Sequence, residues 1–302
     1  MTKPTASRKR PSLGRIVAWT LLIVWILTTL VPLWWVVRMA FSTQRDIMGD
    51  PTSILPVNPT LDAFRRVLGL IPIEQAIAQG GFTRRLDFLR YLGNTVLVTF
   101  LSVGGGLFFN SLAAYGFARL RFPGRDKIFA IYIGALIMPT VLNLIPNFVL
   151  IRSLGWYGTW AGIVAPSFLG SAFGVFFLRQ FFLGINVELE DAAKLDGAGT
   201  LGIFFRLVVP ISLPPLLTVS ILSFIDTWNA FQWPYFAGGM GTQPNATVLT
   251  VALAAFRAQQ QSGLPDFTGM MAGTLLSMVP MLIVFLFLGR RAIDNIQFTG
   301  IK

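Results

Sequence analysis

The sequence predicts an all-α polytopic membrane protein with six transmembrane helices. Three observations predict it. First, 54% of the 302 residues are hydrophobic and only 12% are charged, against about 25% charged in soluble domains, and the mean hydropathy is +0.67. Second, several stretches hold the roughly 20 apolar residues that a hydrocarbon core requires. Third, these stretches are continuous, whereas a transmembrane β-barrel would show short segments of alternating polarity.

The expected spans, taken in order, are residues 16–41, 91–120, 127–151, 157–183, 207–231 and 268–289. Ahead of the first lies a basic, polar segment, 1–15, with Lys3, Arg8, Lys9, Arg10 and Arg15. The apolar run that follows is too long for a signal-peptide core, and no small-residue cleavage site follows it, so it reads as a retained helix. The connection 42–90 is broken by Pro51, Pro56, Pro59 and Pro72. Within it, 61–70 is expected to form a short helix with Thr60 as its N-cap. Between the last two spans, 232–267 carries Gly238, Gly239, Gly241 and Pro244, an apolar stretch at 248–256, and then Gln259, Gln260 and Gln261. The chain therefore divides into a cytosolic N-terminal segment (1–15), a first span (16–41), an extracytoplasmic loop (42–90), a core of five spans with a cytosolic loop at 184–206 (91–291), and a cytosolic tail (292–302). No internal repeat and no separate soluble domain stands out.

Charge sets the expected orientation. Fifteen of the 24 Lys and Arg residues fall on one side if the N-terminus is cytosolic. Seven of the other nine lie at or in 42–90, and long loops count for little in the positive-inside rule. Both termini are thus expected in the cytosol of a multi-pass protein of the plasma (inner) membrane. The same clustering at span ends accounts for the net charge of +11 without nucleic acid as a partner.

The composition excludes much chemistry. The chain has no Cys and no His, which removes thiol nucleophiles, the usual zinc sites and the Ser-His-Asp triad. It has no Gly-x4-Gly-Lys-Ser/Thr loop for a phosphate. No catalytic residue, cofactor-binding residue or metal site is expected.

Several intramembrane residues are candidates for other roles. Gly104, Gly105 and Gly106 read as a close helix-packing site. Gly170 and Gly174 form a Gly-x3-Gly pair, which suits packing within the bundle or against a second subunit. Pro139, Pro146, Pro166, Pro210, Pro214, Pro215 and Pro280 each remove a backbone hydrogen bond from a span. Broken backbone at membrane depth is tolerated in buried places or along a wet path. Asp226 is the only acidic residue within an expected span, which makes it a functional candidate. Asn229 lies close to it, and Asn143 and Asn147 share a face of the third span. All four are candidates for a translocation path.

One segment does not suit spanning at all. Residues 188–199 carry Glu188, Glu190, Asp191 and Asp196, a double alanine (Ala192, Ala193), and Gly197 four residues after it. Residues 188–195 are expected as a helix, 197–199 as a glycine turn, and 207–210 as re-entry to the membrane. A short helix with small residues on one face makes a knob suited to a partner's groove.

That segment resembles the Glu-Ala-Ala loop of ABC importer permeases, in which Glu-Ala-Ala, three residues, Gly, nine residues and Ile-x-Leu-Pro follow one another. Here Asp191-Ala192-Ala193, Gly197 and Leu207-Val208-Val209-Pro210 stand at those spacings, with Asp for Glu, Leu for Ile and Val for Leu. From about residue 50 onward the chain is similar to carbohydrate-uptake permeases of the maltose-transporter inner-subunit type. The likeness rests on Asn58-Pro-Thr-Leu-Asp-Ala-Phe64, Leu112-Ala-Ala-Tyr-Gly-Phe-Ala-Arg119, Arg121-Phe-Pro-Gly124, Asp196-Gly-Ala198 and Trp228-Asn-Ala-Phe-Gln-Trp-Pro234.

The resemblance implies a type I ABC importer permease fold and an ATP-driven, binding-protein-dependent importer of a sugar or related polyol or oligosaccharide. It implies a second homologous permease subunit, a dimer of ABC ATPase subunits that hold the ATP and Mg, and an extracytoplasmic solute-binding protein docking on 42–90 and 232–267. The 188–199 segment becomes the coupling helix, with Glu188, Glu190, Asp191, Ala192, Ala193, Asp196 and Gly197 as its ATPase-coupling residues. Residue Glu190 offers the longer carboxylate that Asp191 lacks. ATP-driven closure would switch the permeases between inward-open and outward-open, and residues 297–302 would reach the ATPase interface. In that family the best-known sugar site lies in the other permease. The competing reading is a self-sufficient secondary transporter or channel for a small polar solute, which would show inverted repeats or paired intramembrane ionisable groups. A membrane enzyme has still less to work with.

Overall fold

The computed structural model describes residues 13–56, 58–78, 86–240, 242–243, 245–254 and 265–297. Gly241, Pro244, Gln259, Gln260, Gln261, most of the N-terminal segment and the last five residues lie outside them. Among the described residues there are helices and turns and no strand.

The first helix, α1, spans Leu13–Ala40. Every residue from 13 to 35 is exposed, the pattern of a helix surrounded by lipid. Its far end is fixed instead. Arg38 is buried, donates to the carbonyls of Pro51 and Asp50, and stacks over Trp35. Three short helices follow: α2 (Gln44–Gly49), α3 (Asp62–Val67) and α4 (Ile73–Ala78). The expected helix 61–70 is thus shorter, and Leu61 rather than Thr60 is its N-cap. The Thr60 hydroxyl still accepts from the Asp62 amide at 3.2 Å.

Helix α5 (Phe88–Arg119) is the spine. At about 1.5 Å per residue its 32 residues extend about 48 Å. Lipid offers helices no hydrophobic drive to associate, so close approach and interhelical hydrogen bonds do that job. Accordingly α5 buries a stripe of small and polar residues, including Asn94, Thr95, Ser102, Gly106, Asn110 and Ala114. Asn94 donates to Thr247 O at 2.8 Å, Thr95 accepts from Leu249 N at 2.8 Å, and the Ser102 and Ser167 hydroxyls lie 2.9 Å apart. Three apolar clusters tier along it. Phe88 packs with Ala40, Val67, Leu249, Leu253 and Ala272. Val98 packs with Ile163 and Val251. Ala114 and Ala118 pack with Leu178, Phe182, Phe204 and Leu216.

Three expected spans are not single helices. The third consists of α6 (Arg125–Gly134), two 3-10 turns (Ala135–Ile137 and Thr140–Asn143) and α7 (Leu144–Ser153). It bends by 101°, because Pro139 pushes Met138 out of the helical region to ψ 123. The fourth divides into α8 (Trp160–Phe168) and α9 (Ala172–Leu183), separated at Gly170, whose φ is +96. The fifth begins earlier than expected. A short helix, α10 (Val187–Leu195), precedes α11 (Thr200–Ile203), a π-turn (Phe204–Val208), α12 (Val209–Ile211) and α13 (Leu213–Asn229). It turns by 79° at Ser212. Pro214 and Pro215 have no N–H, so the carbonyls of Pro210 and Ile211 lose their helical donors there. Helices α14 (Gln232–Ala237) and α15 (Leu249–Ala254) follow, and α16 (Phe267–Gln297) runs eight residues beyond the expected end of the sixth span. Four helical units are long and apolar enough to cross a membrane, and each bent pair adds one more if it crosses.

The glycine pairs are resolved by their neighbours. Gly170 and Gly174 pack within the chain, against the Asn110 side chain of α5. The Asn110 carbonyl oxygen accepts from Ser171 N at 2.8 Å, and the Ser171 hydroxyl caps α9 by accepting from Gly174 N. A Cβ on Gly174 would stand 2.2 Å from Asn110 Nδ2. Gly174→Val will therefore cost about 1–3 kcal/mol through overpacking, read as a lower melting temperature of the purified protein. Gly104→Ala, whose Cβ meets nothing within 4 Å, will not lower that temperature, since alanine is the better helix former by about 0.5–1 kcal/mol. Of the glycine triplet, only Gly105 (against the Phe168 ring) and Gly106 (against Ser167 O) serve close packing.

Candidate functional site

Two places gather the sequence-predicted residues. The first is α10 with its turn. Asn186 caps it, accepting from Glu188 N at 3.1 Å. Glu188 and Glu190 sit in the first turn and Lys194 in the last, which suits the helix dipole. Gly197 ends the motif at φ +82, the left-handed geometry that glycine adopts without strain. A Cβ there would meet nothing within 4 Å, so backbone conformation, not crowding, selects glycine.

The faces of α10 differ. Glu188, Asp191, Ala192, Asp196 and Gly197 are exposed, as are the apolar Val187, Leu189 and Leu195, the last at 90%. Asp191 forms an ion pair with Lys194 at 2.8 Å. Ala193 and Ala198 pack inward on the cluster around Phe182 and Phe204. Glu190 departs from the expectation that it offers a carboxylate to a partner. It is 4% exposed and faces inward, because its position on the helix is the same as that of Ala193, one turn on. Its Oε1 lies 2.8 Å from Arg119 Nε, a charge contact in which the N–H is not aimed along the line. Tyr115, one turn before Arg119 on α5, stands close enough to feel the Glu190 charge.

The second place is a cavity of about 480 Å³ between the bend of the third span, Pro166 of α8, α13 and the start of α14. Asn143, Asn147, Asp226 and Asn229 all line it. The bend makes this possible. Asn143 ends a 3-10 turn and Asn147 lies in the first turn of α7, so the two share the cavity although no single helix carries both. Asn229 donates to Ile225 O at 2.8 Å, which leaves its side-chain oxygen unused by that bond. Asp226 is exposed and makes no ion pair or hydrogen bond among the described residues. Thr140, Phe231, Gln232 and Trp233 also line it, beside the apolar Val141, Leu144, Ile225 and Ala230, and were not singled out as site residues by sequence. For Phe231, Gln232 and Trp233 the aromatic-amide cluster 228–234 was the signal; Thr140 had none. The volume suits a small polar ligand, and the lining offers hydroxyl, amide and carboxylate groups with no cation. Among the described residues no group of His, Cys, Asp or Glu could hold a metal ion.

This fold is a bundle of long apolar and broken helices, with a cavity that gathers amide and carboxylate groups and an exposed acidic knob, which is the form of a membrane-embedded subunit. Residues 106–295 match the family of binding-protein-dependent transport system inner membrane components. The chain is 30% identical over 300 residues to the probable ABC transporter permease protein YurM of Bacillus subtilis, covering 98% of this chain and 91% of that one. It is 28% identical to the arabinooligosaccharides transport system permease protein AraQ of Halalkalibacterium halodurans, with 90% of each chain covered. With the diacetylchitobiose uptake system permease protein NgcG of Streptomyces coelicolor it shares 27% identity over 92% of this chain and 85% of the other. In fold it matches a bacterial ABC transporter involved in import of the acidic polysaccharide alginate, with a TM-score of 0.76 at 24% identity, covering 95% of this chain and 99% of that one. The chain belongs to the family of binding-protein-dependent transport system inner membrane components. It is a permease subunit and not itself an enzyme.

Proposed function

We propose that this permease carries a sugar or oligosaccharide through an ATP-driven importer whose hydrolysis occurs on a partner. The observation that carries the cargo reading is the 480 Å³ cavity lined by Thr140, Asn143, Asn147, Asp226, Asn229 and Gln232, a set suited to hydroxyl-rich ligands, with Phe231 and Trp233 for apolar sugar faces. The names of the relatives in Halalkalibacterium and Streptomyces support the same cargo class. In this reading both bent pairs cross the membrane, giving six spans with both termini in the cytosol of a plasma-membrane protein. The exposed Glu188, Asp191, Ala192, Asp196 and Gly197 form the face that enters a groove of an ATPase dimer, with Ala193 seating the helix from behind. ATP and Mg belong to those ATPases, and this chain holds no cofactor. A second permease closes the cavity from its open side, and a solute-binding protein docks at 42–90 and 232–267.

The test is reconstitution. Uptake of labelled arabinan and chitin oligosaccharides into liposomes will require the second permease, the ATPase, ATP and the binding protein together. Uptake by this chain alone would sink the subunit reading in favour of a self-sufficient transporter.

A further inference from the structure

We propose that Arg119 and Glu190 are positioning residues that make α5 the route by which movement of α10 reaches the opposite end of the chain. The inference rests on reading α10 as the helix that docks the ATPase.

The covalent routes away from α10 are poor conductors of rotation. Toward the N-terminus, α9 is separated from α8 by the Gly170 break. Toward the C-terminus lie a π-turn and the 79° bend at Ser212. By contrast α5 is one unbroken helix of 32 residues without proline, and its last residue reaches α10 through space. Arg119 and Glu190 are paired at 2.8 Å with side chains 10% and 5% exposed. The Arg119 guanidinium also donates to the carbonyl of Ile185, just ahead of α10. One turn earlier on α5, Tyr115 packs in the same cluster as Phe204 and Ile185. Arg179 of α9 donates to Phe117 O at 3.2 Å, closing the joint.

Such a pair is poor evidence for stability, since desolvation offsets most of its Coulomb attraction. Its distinctive property is registry. A buried carboxylate 2.8 Å from a guanidinium that also donates to the Ile185 carbonyl permits few arrangements, so α10 and the end of α5 move together. At its other end α5 is tied just as specifically. Arg90 donates to Asn245, Asn94 donates to Thr247 O, and Thr95 accepts from Leu249 N. Phe88 joins Val67 of α3, Leu249 of α15 and Ala272 of α16 in one cluster. Displacement of α10 would thus arrive at the proposed binding-protein face without passing through the cavity, and binding-protein docking would be felt at α10 by the reciprocal path.

The assembled complex in nanodiscs (both permeases, ATPase dimer, solute-binding protein) provides the test. ATP hydrolysis is measured with and without the binding protein, and retention of the ATPase is measured separately. Glu190→Gln and Arg119→Gln will each reduce stimulation by the binding protein at least about five-fold, with the ATPase retained. The reciprocal exchange, Arg119→Glu with Glu190→Arg, will restore about half of it or more. Undiminished stimulation in either single variant overturns the proposal, and so does an exchange as poor as the single variants. Loss of the ATPase from the single variants also overturns it, because the pair would then be shaping the docking face. Should those variants not assemble, Asn94→Ala at the far end decides: stimulation must fall there as well, and retained stimulation overturns the route. Failure of the docking reading itself is separate, since it appears as ATPase retained by a variant altered at Asp191 and Gly197.

Discussion

Replacing Asp191 and Gly197 together with arginine will strip the ATPase from the permease while the bundle stays folded. Both residues are exposed, and neither contributes to an apolar cluster. Among the described residues Asp191 pairs only with the exposed Lys194, an interaction worth about 0–1 kcal/mol. Folding therefore loses little there. Gly197 costs somewhat more, since its φ of +82 holds a non-glycine residue at about 1–2 kcal/mol of strain. Docking loses far more. Two new cations reverse the charge of an acidic knob at the centre of its contact, where single truncations cost about 2–4 kcal/mol, or about 30-fold or more in affinity. The measurement is co-purification of the ATPase after detergent extraction, beside the melting temperature of the permease. A complex that survives washing would remove α10 from the interface.

Filling the cavity will separate transport from hydrolysis. Asn143→Phe with Asn147→Phe places two rings where about 480 Å³ is open, within the size range of small-ligand sites. Asn143 is exposed and Asn147 half-buried, and neither makes a side-chain hydrogen bond among the described residues. The bend depends on Pro139 and will persist. Uptake is expected to fall at least about ten-fold, a change of about 1.4 kcal/mol in a binding or barrier term. Hydrolysis without the binding protein will stay within about two-fold, because α10 lies in another part of the chain. Undiminished uptake would place the path elsewhere.

The sequence made much of this legible, for physical reasons that differ by element. Long apolar runs locate α1, α5 and the start of α16 because length is what a bilayer demands. The acidic knob could be placed within a residue because its acidic residues, double alanine and terminal glycine are all local signals. Broken helices were harder. A proline announces that a helix can bend, but Pro280 sits inside a helix that continues to Gln297, while Pro139 and the Pro214–Pro215 pair accompany bends of 101° and 79°. Neighbouring packing decides between those outcomes. The inward turn of Glu190 was visible only as a phase relation with Ala193, and its partner Arg119 is 71 positions away. The polar stripe on α5 was legible in principle. Asn94, Val98, Ser102, Gly106, Asn110 and Ala114 recur every four residues, a small-residue face that the glycine triplet partly obscured.

Helix α1 separates two kinds of information in one element. From 13 to 33 every residue is exposed, so many apolar sequences of the same length would anchor it; Trp34 and Trp35 already serve the far end, one donating to Ile54 O and the other lying under Arg38. At its far end Arg38 is buried and closes α2 through two carbonyls, and there the letter itself matters. A gene for this protein could drift freely through the first twenty codons of that helix and still be intolerant of a single change at the arginine that follows.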